Sequence, residues 1–147
     1  MIDIENVVFN RIATTLRTEF LSDYPDLKVY GEYVEFPESF PCVSTWMTDN
    51  YTHTQTLELA NTDEHHANVM FTTEVYTVGQ DRKALAKKLA NRVDELFLGM
   101  GLARNAMLAL PNADPNAYRI TLRHTGIASA FKSYGDAPDT LITTIYR

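Results

Sequence analysis

Cysteine, glycine, proline and long apolar runs are all scarce in this sequence. Its 147 residues include one cysteine, six glycines and six prolines. A single cysteine excludes an internal disulfide and suits a reducing cytoplasm. The low glycine and proline content excludes a collagen-like or low-complexity chain. No apolar run approaches the roughly 20 residues that span a bilayer, and the acidic start from Met1 to Glu5 predicts no secretory signal.

The short motifs of common catalytic and cofactor sites are also missing. The sequence contains neither a phosphate loop of the Gly-x-x-x-x-Gly-Lys type nor a Gly-x-Ser-x-Gly elbow. Gly99-Met100-Gly101 begins like a dinucleotide fingerprint, but the third glycine is absent and the segment closes a predicted helix. Cys42 lies in an apolar run and is expected to be a buried small hydrophobe. We therefore predict no enzyme and no catalytic, cofactor-binding or metal-ligating residues, although a site assembled only in space leaves no motif.

One polar cluster combines imidazoles with carboxylates, the side chains that bind zinc and similar metals. It consists of Asp63, Glu64, His65 and His66, with His53 ten residues before Asp63. Adjacent histidines in a strand point to opposite faces, and no spaced third ligand follows. The cluster is therefore interpreted as a solvated turn, with a metal or small-ligand site as the alternative.

The acidic balance of the chain bears on its partners. The formal net charge is −6 at pH 7, which argues against a dedicated nucleic-acid reader because such proteins carry a basic stripe. Ordinary solubility explains this charge. A channel wall past which DNA slides without adhering is the alternative, since an acidic surface repels phosphates.

Two helices are predicted from apolar residues that recur every three or four positions. The first covers residues 4–21, with Asp3 as its N-cap, and the second covers residues 82–100 and ends at Gly99 and Gly101. Their apolar stripes are Ile4, Val8, Ile12, Leu16 and Phe20 in the first helix and Leu85, Leu89, Val93, Leu96, Phe97 and Met100 in the second.

Alternating and β-branched segments predict a sheet. The segment 67–78 carries apolar residues on both faces and is expected to be a central strand. The polar segments 49–66 and 132–139 are predicted to be a protruding hairpin or long loop and a flexible loop. We predict one α+β domain over residues 1–147, with a mainly antiparallel sheet and two amphipathic helices packed on one face. The predicted strands are 29–34, 42–48, 67–78, 103–110, 118–127 and 140–146.

Two groups of basic residues have both a bland and a functional interpretation. A basic helix face is formed by Arg82, Lys83, Lys87, Lys88 and Arg92. This face is either simply hydrated or contacts DNA or an acidic partner. In the second group, Arg119 and Arg123 share one strand face and Arg147 is expected beside them. These residues pair either within the chain or across a subunit boundary.

Several stretches resemble the small neck proteins of long-tailed phages and prophages of Gram-positive bacteria. This group comprises minor capsid, tail-completion and tail-terminator proteins, and the resemblance covers most of the chain through structural motifs without catalytic residues. The stretches are the helix over residues 2–20, His66-Ala67-Asn68-Val69-Met70-Phe71, Glu74-Val75-Tyr76, Pro111-Asn112, Tyr118-Arg119-Ile120-Thr121 and Thr144-Ile145-Tyr146-Arg147. The lengths of segments 49–66 and 132–139 depart from the family pattern.

The resemblance implies a lambda-like tail-terminator fold and a homo-oligomeric, hexameric ring. Such a ring stops polymerisation of the tail-tube protein and presents a surface to the head-completion or connector protein. Genomic DNA passes through the ring without sequence-specific binding, no membrane takes part, and the expected location is the virion neck after assembly in the host cytoplasm. The first alternative is a head-closure or head–tail adaptor protein, and the second is a small-ligand or metal-binding domain.

Overall fold

The fold follows the predicted order of helices and strands. A computed structural model describes residues 2–53, 66–112 and 114–129, and its sheet with two helices confirms the α+β class. The elements in chain order are α1 (Glu5–Phe20), β1 (Lys28–Tyr30), β2 (Cys42–Thr52), β3 (His66–Val78), α2 (Arg82–Gly99), β4 (Ala103–Leu110) and β5 (Ala117–Ser129).

The strands form a sheet in the order β1-β2-β3-β5-β4. The short strand β1 runs parallel to β2, and the other three pairings are antiparallel, so the sheet is mixed but mainly antiparallel. All 13 residues of β3 pair with β5, from His66 opposite Ser129 to Val78 opposite Ala117. β2 flanks β3 on the other side, which confirms the predicted central position of this strand.

Both helices pack on the same face of the sheet. The odd-numbered residues of β3 point toward the helices, and Val69, Phe71 and Val75 are buried there. α1 lies over β1 and β2, whereas α2 lies over β3, β5 and β4. The rings of Phe71 and Phe97 meet with centroids 5.6 Å apart. This arrangement places the even-numbered residues of β3, among them Glu74, on the face without helices.

The start of α1 differs from the prediction by one position. Ile4 is the N-cap residue and has no side-chain cap bond. Ile4 is also buried in the core, so Asp3 stands one residue too early for the predicted role. Its Oδ1 instead accepts a hydrogen bond from the Glu5 backbone N–H at 3.0 Å.

The end of α2 confirms the interpretation of the glycine-rich segment as a helix C-terminus. Gly101 has a φ of +91°. Its N–H donates to the Leu98 carbonyl at 3.1 Å, and the Leu102 N–H donates to the Phe97 carbonyl at 2.9 Å. These two bonds form a Schellman motif, which satisfies the last carbonyls of the helix. The segment therefore ends a helix and leaves no strand-to-helix turn for a dinucleotide.

Two strand predictions need correction. The strand predicted over residues 29–34 ends at Tyr30, and the chain then leaves the sheet at Gly31. Gly31 lies close to α1, because a Cβ added there would be 3.3 Å from the Phe9 ring. Strand β2 extends to Thr52, four residues beyond the predicted end, so the first part of the predicted 49–66 loop is strand.

Polar groups at the start of α1 support the extension of β2. The register of β2 shifts between Met47 and Asp49, where the strand has a bulge. The Met47 N–H donates to Glu5 Oε2 at 2.9 Å, and Asn50 Nδ2 donates to the Ile2 carbonyl at 2.6 Å. The first bond satisfies a backbone N–H of β2 beyond the end of β1, and the second ties the Asn50 side chain of β2 to the segment before α1.

The remaining predictions agree closely with the structure or lie outside the described residues. The strand predicted over 103–110 matches β4, and the one predicted over 118–127 lies within β5. The loop 132–139, the strand 140–146 and most of the segment 49–66 fall outside the described residues. Among the helices that the structure describes, none is both long and apolar enough to cross a bilayer.

Candidate assembly surface

Residues 31–41, here called the flap, lie across the face of the sheet that has no helices. The Tyr33 ring meets the edge of the Trp46 ring, with centroids 5.5 Å apart and planes at 69°. The Val34 carbonyl lies 3.4 Å from the Tyr76 hydroxyl. At the far end of the flap, Ser39 Oγ donates to the Asp26 carbonyl at 3.0 Å. The flap thus shields the β2 and β3 side of this face from solvent.

A buried ion pair lies beneath the flap. Arg119 donates to Glu74 through Nε at 2.6 Å and through Nη2 at 2.5 Å, and the two side chains are 22% and 5% exposed. The Tyr76 hydroxyl donates to Glu74 Oε2 at 2.5 Å. The hydrogen bonds that Arg119 donates to Glu74 raise the pKa of Arg119, and burial raises the pKa of Tyr76. With a longer contact from Thr121 Oγ1 at 3.4 Å, the Glu74 carboxylate accepts four hydrogen bonds, which tie β5 to β3 beneath the flap.

The rest of the helix-free face is open among the described residues. Arg123 is exposed and makes no ion pair with a described residue. It lies on the same face of β5 as Arg119, four residues further along the strand. Leu108 of β4 is 46% exposed, and Tyr51 of β2 is 58% exposed. Near Tyr51 and Met70 the surface forms a shallow depression of about 490 Å³. Of the sequence-predicted basic pair, Arg119 is therefore used within the chain, whereas Arg123 has no ion-pair partner among the described residues.

Strand β4 forms one edge of the sheet. Within the described ranges it pairs with β5 alone, from Ala103 opposite Thr125 to Leu110 opposite Arg119. An edge strand presents a row of N–H and C=O groups that can add a strand from another chain.

The basic face of α2 divides into two parts. Arg92 is held by an ion pair with Glu19, at 2.7 Å from Nε, and by one with Glu95. Lys88 Nζ lies 5.5 Å from the centre of the Phe20 ring. The predicted basic face is therefore partly used within the helix layer, and the N-terminal part of α2 remains exposed to solvent.

A second buried polar cluster joins α2 to β4 and β5. His124 Nε2 lies 2.8 Å from Asp94 Oδ1, and Arg104 Nη1 donates to Asp94 Oδ2 at 2.7 Å. The imidazole is stacked on the Phe97 ring at 4.3 Å. Burial lowers the pKa of His124 against the opposing effect of Asp94. A histidine–carboxylate pair suits acid–base chemistry, but this imidazole is 0% exposed, so it reaches no substrate and fastens α2 to the sheet.

The candidate metal ligands are only partly described. The His53 N–H donates to the His66 carbonyl at 2.9 Å, and His53 Nδ1 lies 3.2 Å from Asn68 Nδ2. Asp63, Glu64 and His65 lie outside the described residues. Over the part of the chain that the structure describes, no group of three histidine, cysteine or carboxylate side chains is assembled.

Cys42 is buried, as the sequence predicts. Its side chain is 0% exposed on the helix-free face beneath the flap, and burial raises the pKa of its thiol to about 12. A thiol of this kind is inert, because the thiolate is the nucleophile.

The sequence did not indicate the two buried polar clusters. Glu74 interrupts an apolar strand, and Asp94 faces the core side of an amphipathic helix. A carboxylate at such a position requires a partner, because an unpaired buried charge is strongly unfavourable. This signal predicts that partners exist, but it does not identify Arg119 or His124 as those partners.

Comparisons with known proteins leave the family of this chain open. No family model matches it, and no curated protein matches it. One solved structure, whose name states no function, superposes with a TM-score of 0.47 at 14% identity and covers 83% of this chain and 95% of its own. A likeness of this size carries no argument about function.

Proposed function

We propose that the chain is a structural neck protein of a long-tailed phage that forms a hexameric ring at the end of the tail tube. In this role it terminates the tube, joins the tail to the head and leaves a channel for DNA. The proposal starts from the sequence resemblance. The observation that carries it furthest is the division of the sheet into a face covered by helices and a face covered in part by the flap, with the β4 edge exposed among the described residues.

The two buried polar clusters of the described residues stabilise the elements that form the surface of the protein. Glu74, Arg119 and Tyr76 join β3 to β5 beneath the flap, and Asp94 with His124 and Arg104 fixes α2. A surface held in one arrangement before contact loses less conformational entropy on binding. This economy favours a subunit that must add repeatedly to identical neighbours.

The net charge is compatible with a channel for DNA. Six copies, each at −6, would carry roughly −36 formal charges. A wall of this sign repels phosphates, so DNA passes without being held.

A ring of identical subunits also requires two unlike, complementary patches on each copy. The open face and the β4 edge then remain for contacts with the tube and the connector.

The experiment that tests this proposal is disruption of the gene in a phage that carries it, followed by electron microscopy of the particles. We expect tails of uncontrolled length beside filled, unjoined heads, and restoration of uniform length when the gene is supplied from a plasmid. Tails of normal length beside unjoined heads would contradict tube termination and favour a head-closure or adaptor protein.

A further inference from the structure

The flap carries an acidic surface that no described residue neutralises. Glu32, Glu35 and Glu38 are exposed, and residues 31–41 contain no lysine or arginine. None of the three glutamates forms an ion pair with a described residue. Phe36 stands among them with 71% of its side chain exposed. Exposed aromatic residues of this kind are enriched in protein interfaces.

The first ten residues of α2 carry the opposite charge. They contain four basic residues and no acidic one, and Arg82, Lys83 and Lys87 are exposed without an ion pair among the described residues. Lys83 and Lys87 are one turn apart and therefore share one side of the helix.

The basic residues at this end of α2 are unfavourable for the helix itself. The N-cap residue Asp81 is the one acidic residue at the start of α2, and its side chain makes no cap bond. The first turn itself contains basic residues only among its charged ones, whereas the first turn of α1 contains Glu5. The helix dipole places partial positive charge at the N-terminus, so a cation there is unfavourable. A local rule broken without an internal partner is typical of a functional position.

The two charged surfaces lie on opposite sides of the sheet. α2 packs on one face, whereas the flap lies on the other, where Val34 meets Tyr76. Because the two surfaces lie on opposite sides, they cannot pair within one copy. A two-fold contact that brings the same surface of two copies together would not pair them either. They can pair head to tail, which is the contact that builds a ring.

We propose that the α2 surface of Arg82, Lys83 and Lys87 binds the flap surface of Glu32, Glu35 and Phe36 on a second copy of this chain. This inference rests on the proposed ring and names its subunit contact. Phe36 packs on the lysine stems while the glutamates pair with the ammonium groups. Pairs exposed to solvent are individually weak, so the contact forms at high local concentration, such as at the end of a tail tube.

Charge reversal tests the contact. The helix variant Lys83→Glu/Lys87→Glu and the flap variant Glu32→Lys/Glu35→Lys each place like charges on both surfaces. We expect each variant alone to sediment as a monomer at concentrations where the unmodified chain associates at low salt. An equal mixture of the two is expected to associate again, because the acidic helix of one variant then meets the basic flap of the other.

A matched control and a folding check accompany this experiment. Arg123→Glu changes a charge on the open face and is expected to leave association unchanged. Lys83→Glu removes an unfavourable cation from the helix start, so the helix variant is expected to melt no earlier than the unmodified chain. Association of the helix variant alone, or failure of the mixture to associate, would overturn the proposal.

Disulfide trapping keeps the test decisive where association is weak. The variant Lys87→Cys/Glu35→Cys is expected to form a ladder of covalent oligomers under mild oxidation, whereas either single cysteine gives dimers at most. Buried Cys42 does not interfere. The absence of a ladder would overturn the contact even if gene disruption gives long tails. A ladder together with normal-length tails would support the contact and contradict the terminator role.

Discussion

Arg119 and Glu74 form a two-point ion pair on the helix-free face of the sheet, with Nε to Oε2 at 2.6 Å. The pair joins β5 to β3 directly beneath the flap, and Tyr76 adds a third hydrogen bond to the same carboxylate. The geometry explains why a charged residue is kept in the middle of the central strand.

Removal of Arg119 is expected to destabilise the fold strongly. Arg119→Met leaves the Glu74 carboxylate buried without its cation, which costs about 3–5 kcal/mol. Urea unfolding measures this loss. The matched variant Arg123→Met, on an exposed residue of the same strand face, is expected to change stability by less than about 0.5 kcal/mol. Similar losses in both variants would show that the pair is not specially important.

Acid is expected to destabilise the protein through His124. Because burial lowers the pKa of this imidazole in the folded chain, unfolding lets it protonate as the pH falls below about 6.5. Its contribution to stability is therefore complete above that pH and is lost as the pH falls toward the lowered value. His124→Gln removes the titration. The difference in unfolding free energy between the two proteins, measured by urea unfolding from pH 7.5 to pH 5, should change with pH; a constant difference would contradict the assignment.

The two glycines at the end of α2 are expected to respond in opposite ways. Gly101→Ala places a Cβ at a φ of +91°, which costs about 1–2 kcal/mol. Gly99→Ala lies at the last helical position, where an added Cβ meets nothing within 4 Å, and is expected to stabilise by up to about 1 kcal/mol. Thermal unfolding distinguishes the two, and equal effects of the same sign would be inconsistent with the Schellman motif.

Cys42 is expected to resist thiol reagents until the chain unfolds. Its pKa of about 12 and its full burial remove both the thiolate and the access that a reagent requires. Labelling with an aromatic disulfide at pH 8 should be slow in buffer, complete in denaturant and faster in Arg119→Met. Rapid labelling of the native protein would contradict this placement of the flap over β2.

The elements were predictable wherever local patterns determine them. The spacing of Val8, Ile12 and Leu16 predicts α1, and the two-sided apolar pattern around Phe71 predicts a central strand; both are confirmed. The parallel pairing of β1 and the extension of β2 to Thr52 were not predicted. The first is a pairing of residues 28–30 with residues 42–44, and the second accompanies a bulge and bonds between β2 and the start of α1. Both are contacts between distant parts of the chain.

The candidate surface was predictable only in part. The basic residues at the start of α2 were recognised from the sequence, but their separation from Arg92 depends on the Glu19 ion pair, which joins two helices. Residues 31–34 of the flap were predicted to be part of a strand. The position of the flap over Glu74 follows from the edge location of β1, and no local pattern encodes that location.

An image of the virion neck by electron cryo-microscopy tests the central proposal most directly. We predict a closed ring of six copies of this chain at the end of the tail tube, with α2 of each copy against the flap of the next. A neck without this ring, or with this chain located on the head side of the connector, would contradict the account.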